Sequence, residues 1–373
     1  MLMRTISLIA ATTLLTGAHA QSVIPVTSLA DSGPGSLRAA IANAFPGDTV
    51  RIQVTGSILI TSGPITYNKD LVIDGPGQGS LSIDGGDQYV PLVISGGSTW
   101  MDGLTIIHGR SDFGAQAVGG GMGFNGDTLV MRDVRITSCK QSGIGGFSRL
   151  GGGLRAVCWK ARIRDCSFDN NIINSEPDDN GYASGGGLYL QGSDLLMRNC
   201  TVTNNISRGR ENQGSGVGTG GGLYVRGTGR IVDCQFTGNQ AVGISYYGGG
   251  NPVDAVAGGG GIYVDGTSNI TIEGGLISGN SCVSSADHYR HYQGAGIFAS
   301  FATLKLVGVT VSDNTMPSDL PEYEPCLGGG IYINYGALST DLCTISGNTS
   351  REGSGIYCDN MNSSNDDNRV SLR

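Results

Sequence analysis

Apolar residues in this chain recur at every second position in short runs, and the runs are closely spaced. Val50 and Ile52, Ile58 and Ile60, Leu71 and Ile73, Leu81 and Ile83, and Leu92 and Ile94 are the early examples. A period of two over so few residues predicts brief strands, each turning its aliphatic pair to one side. Gly63-Pro64, Asp74-Gly75 and Asp84-Gly85 punctuate them as turns. One segment breaks the pattern. Ser36 to Ala44 reads as a short helix, with Ser36 as N-cap and Leu37, Ala40 and Ile41 on one face.

From about residue 100 onward the chain repeats itself. One phrase is glycine-rich, then aliphatic, then aromatic: Gly185–Tyr189, Gly220–Tyr224, Gly259–Tyr263, Gly294–Phe298, Gly328–Tyr332 and Gly353–Tyr357. A second phrase ends in asparagine at Asn171, Asn205, Asn239, Asn280, Asn314 and Asn348, spaced 34, 34, 41, 34 and 34 residues apart. A third apolar alternation lies between them, as in Leu195 and Met197 or Ile270 and Ile272. Each unit therefore holds three short strands and no helix-length pattern, which excludes βαβ units. The expected architecture is all-β: a parallel β-helix of about ten coils, each strand pairing with its copy one unit away. Ile262 and Val264 should face inward and Tyr263 outward. The asparagines should stack amide on amide and accept left-handed backbone at a turn. The glycines should mark close backbone passage. The outward row Tyr189, Tyr224, Tyr263, Phe298, Tyr332 and Tyr357 reads as a stacking ladder between coils.

The first twenty residues have a different character. Arg4, the apolar stretch Ile6–Leu15 and Ala18-His19-Ala20 form a secretory leader, Met1–Ala20. The expected organisation is a leader over 1–20, a cap with its short helix over 21–48, and the β-helix over 49–373, stopping in mid-coil because Val370–Arg373 aligns with Leu195–Arg198. No later segment is apolar for the roughly 18 residues a membrane-spanning helix needs. Glycine is 64 of 373 residues, yet without a period of three and with 11 prolines, so collagen is excluded. A net charge of −8 argues against a nucleic acid partner. Nine cysteines in an exported chain raise the question of disulfides. Cys166, Cys200, Cys234 and Cys343 share one inward position and read as small buried hydrophobes, while Cys282 and Cys326 lie between the strand repeats and are the better disulfide candidates.

Ser32 to Ile41, followed by Pro46-Gly47-Asp48, resembles the start of secreted bacterial right-handed β-helix proteins with a pectate-lyase-like fold. The paired phrases resemble the GGA-I/L/V and F-x-x-N repeats of chlamydial-type polymorphic outer membrane proteins; Phe168–Asn171 and Phe236–Asn239 match the second, and triple glycine replaces the first. The resemblance implies a right-handed coil and an exported, cell-surface or extracellular, outer-membrane-associated protein. Its relatives include adhesins, autotransporter passengers and polysaccharide lyases, so it fixes the fold without choosing the chemistry. No run of alternating ten-residue strands, as a C-terminal membrane barrel would need, follows the repeats.

Chemistry in such a solenoid is expected in the segments that leave the coils, here those between each asparagine and the next glycine run. Stacked repeats align these segments along one side. Asp287–Tyr292 is the most site-like: His288 and His291 as bases, Tyr292 as acid and Arg290 as a carboxylate clamp would suit β-elimination on a uronic-acid polymer. Tyr246, Tyr247, Tyr289, Tyr323, Glu322, Glu324, Arg208 and Arg210 are the accompanying candidates for substrate binding. Glu176, Asp178 and Asp179 form an acidic segment that calcium would suit; no other cofactor is expected. Two functions from different classes follow: a carbohydrate-interaction or adhesion module whose partner is a polysaccharide or a cell-surface glycan, and a lyase or glycosidase acting on an acidic glycan.

Overall fold

The computed structural model describes residues 20–113, 118–144, 148–175, 181–211, 214–245, 254–286, 289–317, 324–359 and 370–372. The described chain winds as a right-handed parallel β-helix. All described strand pairings are parallel, with three faces per coil, and the register shifts only at three irregularities, Gln141/Ile144, Gly192/Leu195 and Arg226/Thr228. One face carries twelve rungs, beginning at Val23–Val26, Thr49–Ile52 and Leu71–Asp74 and ending at Val370–Leu372. The alternation sets what is inside. Leu188, Leu190, Leu195 and Met197 are buried in one coil, Ile262, Val264, Ile270 and Ile272 in another.

The asparagines form the ladder expected of them. Asn205 Nδ2 donates to Asn239 Oδ1 at 3.0 Å and to the Phe168 carbonyl at 2.9 Å. Its own Oδ1 accepts from the Asn171 amide at 3.0 Å and from the Asn171 backbone N–H at 2.9 Å. The same set repeats through Asn239, Asn280 and Asn314, all buried. The 41-residue step from Asn239 to Asn280 joins in the same way as the 34-residue steps. The turn differs from expectation by one residue. The left-handed positions are Asn170, Asn204, Gly238, Gly279, Asp313 and Gly347, each just before a ladder asparagine. That residue makes the bend, which leaves the asparagine free to point inward. Glycine explains the neighbouring phrase: a Cβ on Gly187 would lie 3.0 Å from the Asn205 amide and 2.7 Å from the Gly222 carbonyl. A side chain there would push the ladder apart.

The N-terminal motif is a clamp. Ser36 caps the helix Leu37–Asn43, whose Leu37, Ala40 and Ile41 cover the first coils. Arg38 binds Asp31 at 2.7 Å and the carbonyls of Gly63 and Pro64. Asp31 also accepts from the backbone N–H groups of Thr61 and Ser62 and from both hydroxyls. The loop, the helix and a coil are thus tied at one carboxylate.

The described parts of the segments between asparagine and glycine are not irregular loops. They form two further parallel sheets of six strands each. One runs from Arg110–Phe113 to Ser281–Ser285 and the other from Arg149–Leu150 to Cys326–Leu327. The two sheets lie face to face as a fin projecting from the coil. Its interior is built from small residues such as Ser207, Gly209, Ala241, Gly243, Ala255 and Ala257. The approach is close: a Cβ on Gly218 would meet the Val242 carbonyl at 2.1 Å. All nine cysteines are free thiols, including Cys282 and Cys326, which pack together within the fin. Cys166, Cys200 and Cys234 are buried in one row, and the thiol contact with Cys166, helped by burial, pushes Cys200 up to about 12.

Two outcomes are expected. Asn205→Ala should destabilise the protein by roughly 1–3 kcal/mol in chemical denaturation, because it orphans buried partners on both neighbouring rungs; surface-like tolerance would contradict the ladder. Acid should loosen the cap. Burial alone would raise the Asp31 pKa, but hydrogen bonds from Ser62, Arg38 and Thr61 outweigh it and bring the group down to about 2. The clamp's contribution is therefore complete above the unfolded carboxyl's pKa of roughly 3.9 and is lost as pH falls towards about 2. Asp31→Asn should remove that component of acid sensitivity in thermal melts between those two limits.

Candidate functional site

The candidate segment of the fin is a strand, Tyr289–Gln293. Strand alternation divides the expected cluster. Arg290 and Tyr292 pair in register with the buried Ala255 and Ala257 and point into the fin, whereas Tyr289 and His291 point out. Tyr292 is buried and its hydroxyl donates to the Ser284 carbonyl at 3.0 Å; burial raises its pKa. Arg290 Nε donates to Glu324 Oε1 at 2.9 Å, and Glu324 is 1 % exposed. The second oxygen, Glu324 Oε2, is buried without a hydrogen-bond partner among the described residues. His291 Nε2 lies 3.8 Å from the Asp254 carboxylate on the outer surface. Arg208 and Arg210 lie on the outer face of the opposite sheet, where Arg208 donates to Asn174 Oδ1 at 3.1 Å. His288, Tyr246, Tyr247, Glu322, Tyr323, Glu176, Asp178 and Asp179 lie outside the described residues. An arginine clamp, a histidine base and a tyrosine acid are therefore not brought onto one surface by Arg290, His291 and Tyr292. Arg290 is already committed to Glu324.

A different surface carries a better-formed site. From Leu71–Asp74 onward, the twelve-rung face buries Leu71, Ile73, Met101, Leu129, Met131, Ile163, Leu195 and Met197. Its outward positions make two rows in register. One is Val72, Trp100, Val130, Arg162 and Leu196; the other is Asp74, Asp102, Arg132, Arg164 and Arg198. They line a groove of about 810 Å³, bounded at one end by Gln21 and Gly47. Trp100 stands 42 % exposed in it. Along the same face a smaller hollow continues past Arg230, Asn269 and Thr271, sharing Arg162 and Leu196 with the first.

The charges are ordered along the axis. Asp74 is held by Arg51 at 2.8 Å, and Asp102 is ion-paired with Arg132. Arg162 binds both the carboxylate and the carbonyl of Asp194, and this hydrogen bond holds the Asp194 carboxyl below its ordinary range. Arg164 lies 3.2 Å from the exposed Asp165, and among the described residues no carboxylate is within ion-pairing distance of Arg198. With these partners counted, five arginines stand against four aspartates, which leaves a cationic excess at Arg198 on a protein of net charge −8. A tryptophan face beside spaced guanidinium groups can stack a sugar ring and bind carboxylate or sulfate groups.

Right handed beta helix region is the family whose model matches this chain, over residues 83–254 and 221–371. The chain belongs to that family. Membership accounts for the coil and leaves the groove's use open, since the same fold hosts many functions. Among solved structures the chain is similar to pectin methylesterase from carrot, at 11 % identity and a TM-score of 0.39, covering 92 % of this chain and 89 % of that one. A likeness of that size speaks for neither activity nor substrate. No curated protein sequence matches the chain.

The groove escaped the repeat analysis because outward strand positions read as the solvated complement of the core. Its signals are present. Met131-Arg132, Ile163-Arg164 and Met197-Arg198 put arginine at one repeat position, and Trp100 is one of two tryptophans in the chain.

In the fin, Arg290→Ala should cost about 3 kcal/mol in denaturant melts, the low end for breaking a buried pair because Arg290 stays partly exposed. Adding Glu324→Gln to that variant should restore most of the loss; failure of the rescue would show that the pair is not what Arg290 supports.

Proposed function

We propose that this protein is a carbohydrate-interaction module, exported by the leader Met1–Ala20 and holding an acidic glycan along the outer groove of its β-helix. The observation that carries this reading is the groove itself: Trp100 exposed, followed on the next three rungs by Arg132, by Arg162 with Arg164, and by Arg198. Rungs repeat every 4.7–4.9 Å, close to the rise of one sugar residue in an extended polysaccharide. Successive arginines can therefore meet successive acidic sugars without bending either partner. The partner is a polysaccharide or a cell-surface glycan, and adhesion is the role such a surface serves without chemistry. Calcium at Glu176, Asp178 and Asp179 stays a proposal of the sequence.

Catalysis is the second reading, favoured by one observation. Asp74 and Asp102 are in register on adjacent rungs of the groove, near the roughly 5 Å separation at which two carboxyl groups act as nucleophile and acid on a glycoside. Each is already engaged by an arginine, which suits a binding surface better than a proton donor. Asp102→Asn separates the two, since it would abolish turnover of an acidic glycan and merely adjust its binding.

The direct test is titration of oligogalacturonate and sulfated oligosaccharides into the protein. Trp100→Ala should weaken binding by about 1–2 kcal/mol and Arg198→Ala by roughly 1 kcal/mol, and added salt should weaken it further. Wild-type binding in both variants would remove the groove from consideration.

A further inference from the structure

Phe301 and Tyr335 occupy a position that the fold itself fills better with glycine. Each follows the end of a strand on the tyrosine-ladder face, at the corner leading to the groove face, after Ser300 and Asn334 respectively. Their φ angles are 52° and 49°. The preceding coil has Gly266 there, at φ 63°, following Asp265, the register partner of Ser300. A bulky side chain on left-handed backbone is strained, and glycine is not. The rings are nevertheless exposed, Phe301 at 57 % and Tyr335 at 41 %, and stacked with centroids 4.9 Å apart and planes 8° apart. One stacking contact returns less than two strained residues cost. Core packing does not explain them either, because both rings stand outside the coil.

The rest of the corner points the same way. At the start of the same corner, four coils earlier, stands Trp159, 70 % exposed. Between them the corner narrows to glycine and hydroxyl residues. A trough of about 270 Å³ there is lined by Gln191, Ser193, Arg226, Thr267 and Ser268 among others. Gly266 leaves open space: within 4 Å a Cβ there would meet only the Arg226 side chain, at 3.8 Å. Arg226 faces Asp265 at 3.9 Å, so the trough has no uncompensated charge of its own. Two rings and a trough of this size fall far short of the surface that a protein partner buries. They match a few sugar rings, with hydroxyls meeting the exposed Ser193 and Thr267.

We propose that the Phe301–Tyr335 pair is a stacking platform for neutral sugar residues, three rungs along the coil from the groove's last arginine, Arg198. This rests on the reading of the protein as a glycan binder and makes it more specific: the ligand is a heteropolysaccharide, with acidic residues along the groove and neutral ones at the corner.

The test uses the full chain and isothermal titration with cellohexaose, mannohexaose and xylohexaose as neutral probes and hexagalacturonate as the acidic one. At least one neutral probe should bind. Phe301→Gly/Tyr335→Gly should weaken that probe roughly three- to tenfold, the range of an aromatic stacking contact, while hexagalacturonate binding is unchanged. The same double variant should melt at the wild-type temperature or above it, since glycine relieves the strain. Trp100→Ala should show the reverse selectivity, so failure of the groove and failure of the platform read out separately. No binding of any neutral probe, or a double variant that melts lower and binds neutral sugar as wild type does, would overturn the platform and leave the rings a structural stack.

Discussion

The asparagine ladder is the constraint on which the rest of the structure depends. From Asn205 to Asn314 each amide spends both protons and both lone-pair directions on its neighbours, so every rung from Asn171 to Asn314 is locked to the next in register and in height. A slip of one residue would turn every inward side chain of a coil outward, and it would also break four hydrogen bonds on the ladder. The third glycine of each triplet is the other half of the same device, because it clears the space in which the amide lies. The two phrases repeat together because they touch each other.

Once register is locked, everything outside the coil inherits it. Outward positions on one rung stand directly above those on the next, so a single residue type chosen repeatedly becomes a row. On one face the rows are tyrosines, whose rings stack at 5.0 Å between Tyr189, Tyr224 and Tyr263. On the next they are the arginines and the tryptophan of the groove. The two faces use the same backbone arithmetic for different ends: in one the rings are packed against each other and largely buried, in the other the side chains are held apart and left accessible. The projecting sheets of the fin inherit the register too, although their strands contain few large apolar residues of their own.

The coil was legible because its signal is aliphatic and periodic: Leu195 with Met197 or Ile270 with Ile272 cannot be mistaken for loop. The cap was legible for the same reason, with Ser36 and its three apolar partners. The fin was not. Its strands bury serine, glycine and alanine, as in Ser207 and Gly209 against Gly216 and Gly218, and such residues carry no hydrophobic period. The candidate site suffered from the same blindness. Treating residues 287–292 as a loop allowed Arg290, His291 and Tyr292 to converge, whereas a strand sends neighbours to opposite sides. The groove was hidden for another reason. Its residues are conspicuous in three dimensions because five rungs align them, but along the chain they are about 30 residues apart.

The closeness of the two fin sheets has a consequence for how this protein can change over evolutionary time. Where a methyl group on Gly218 would strike the Val242 carbonyl, the interior has no volume to trade, and a larger residue there would have to part the sheets. Change is then left to the outer surfaces, whose side chains can be recoded without asking anything of the sheets beneath. The seven extra residues of the Asn239–Asn280 unit show the coil absorbing added length with the ladder intact. A rigid, nearly incompressible spine bearing freely editable edges is the arrangement by which a lineage can alter what it displays while keeping the frame that displays it.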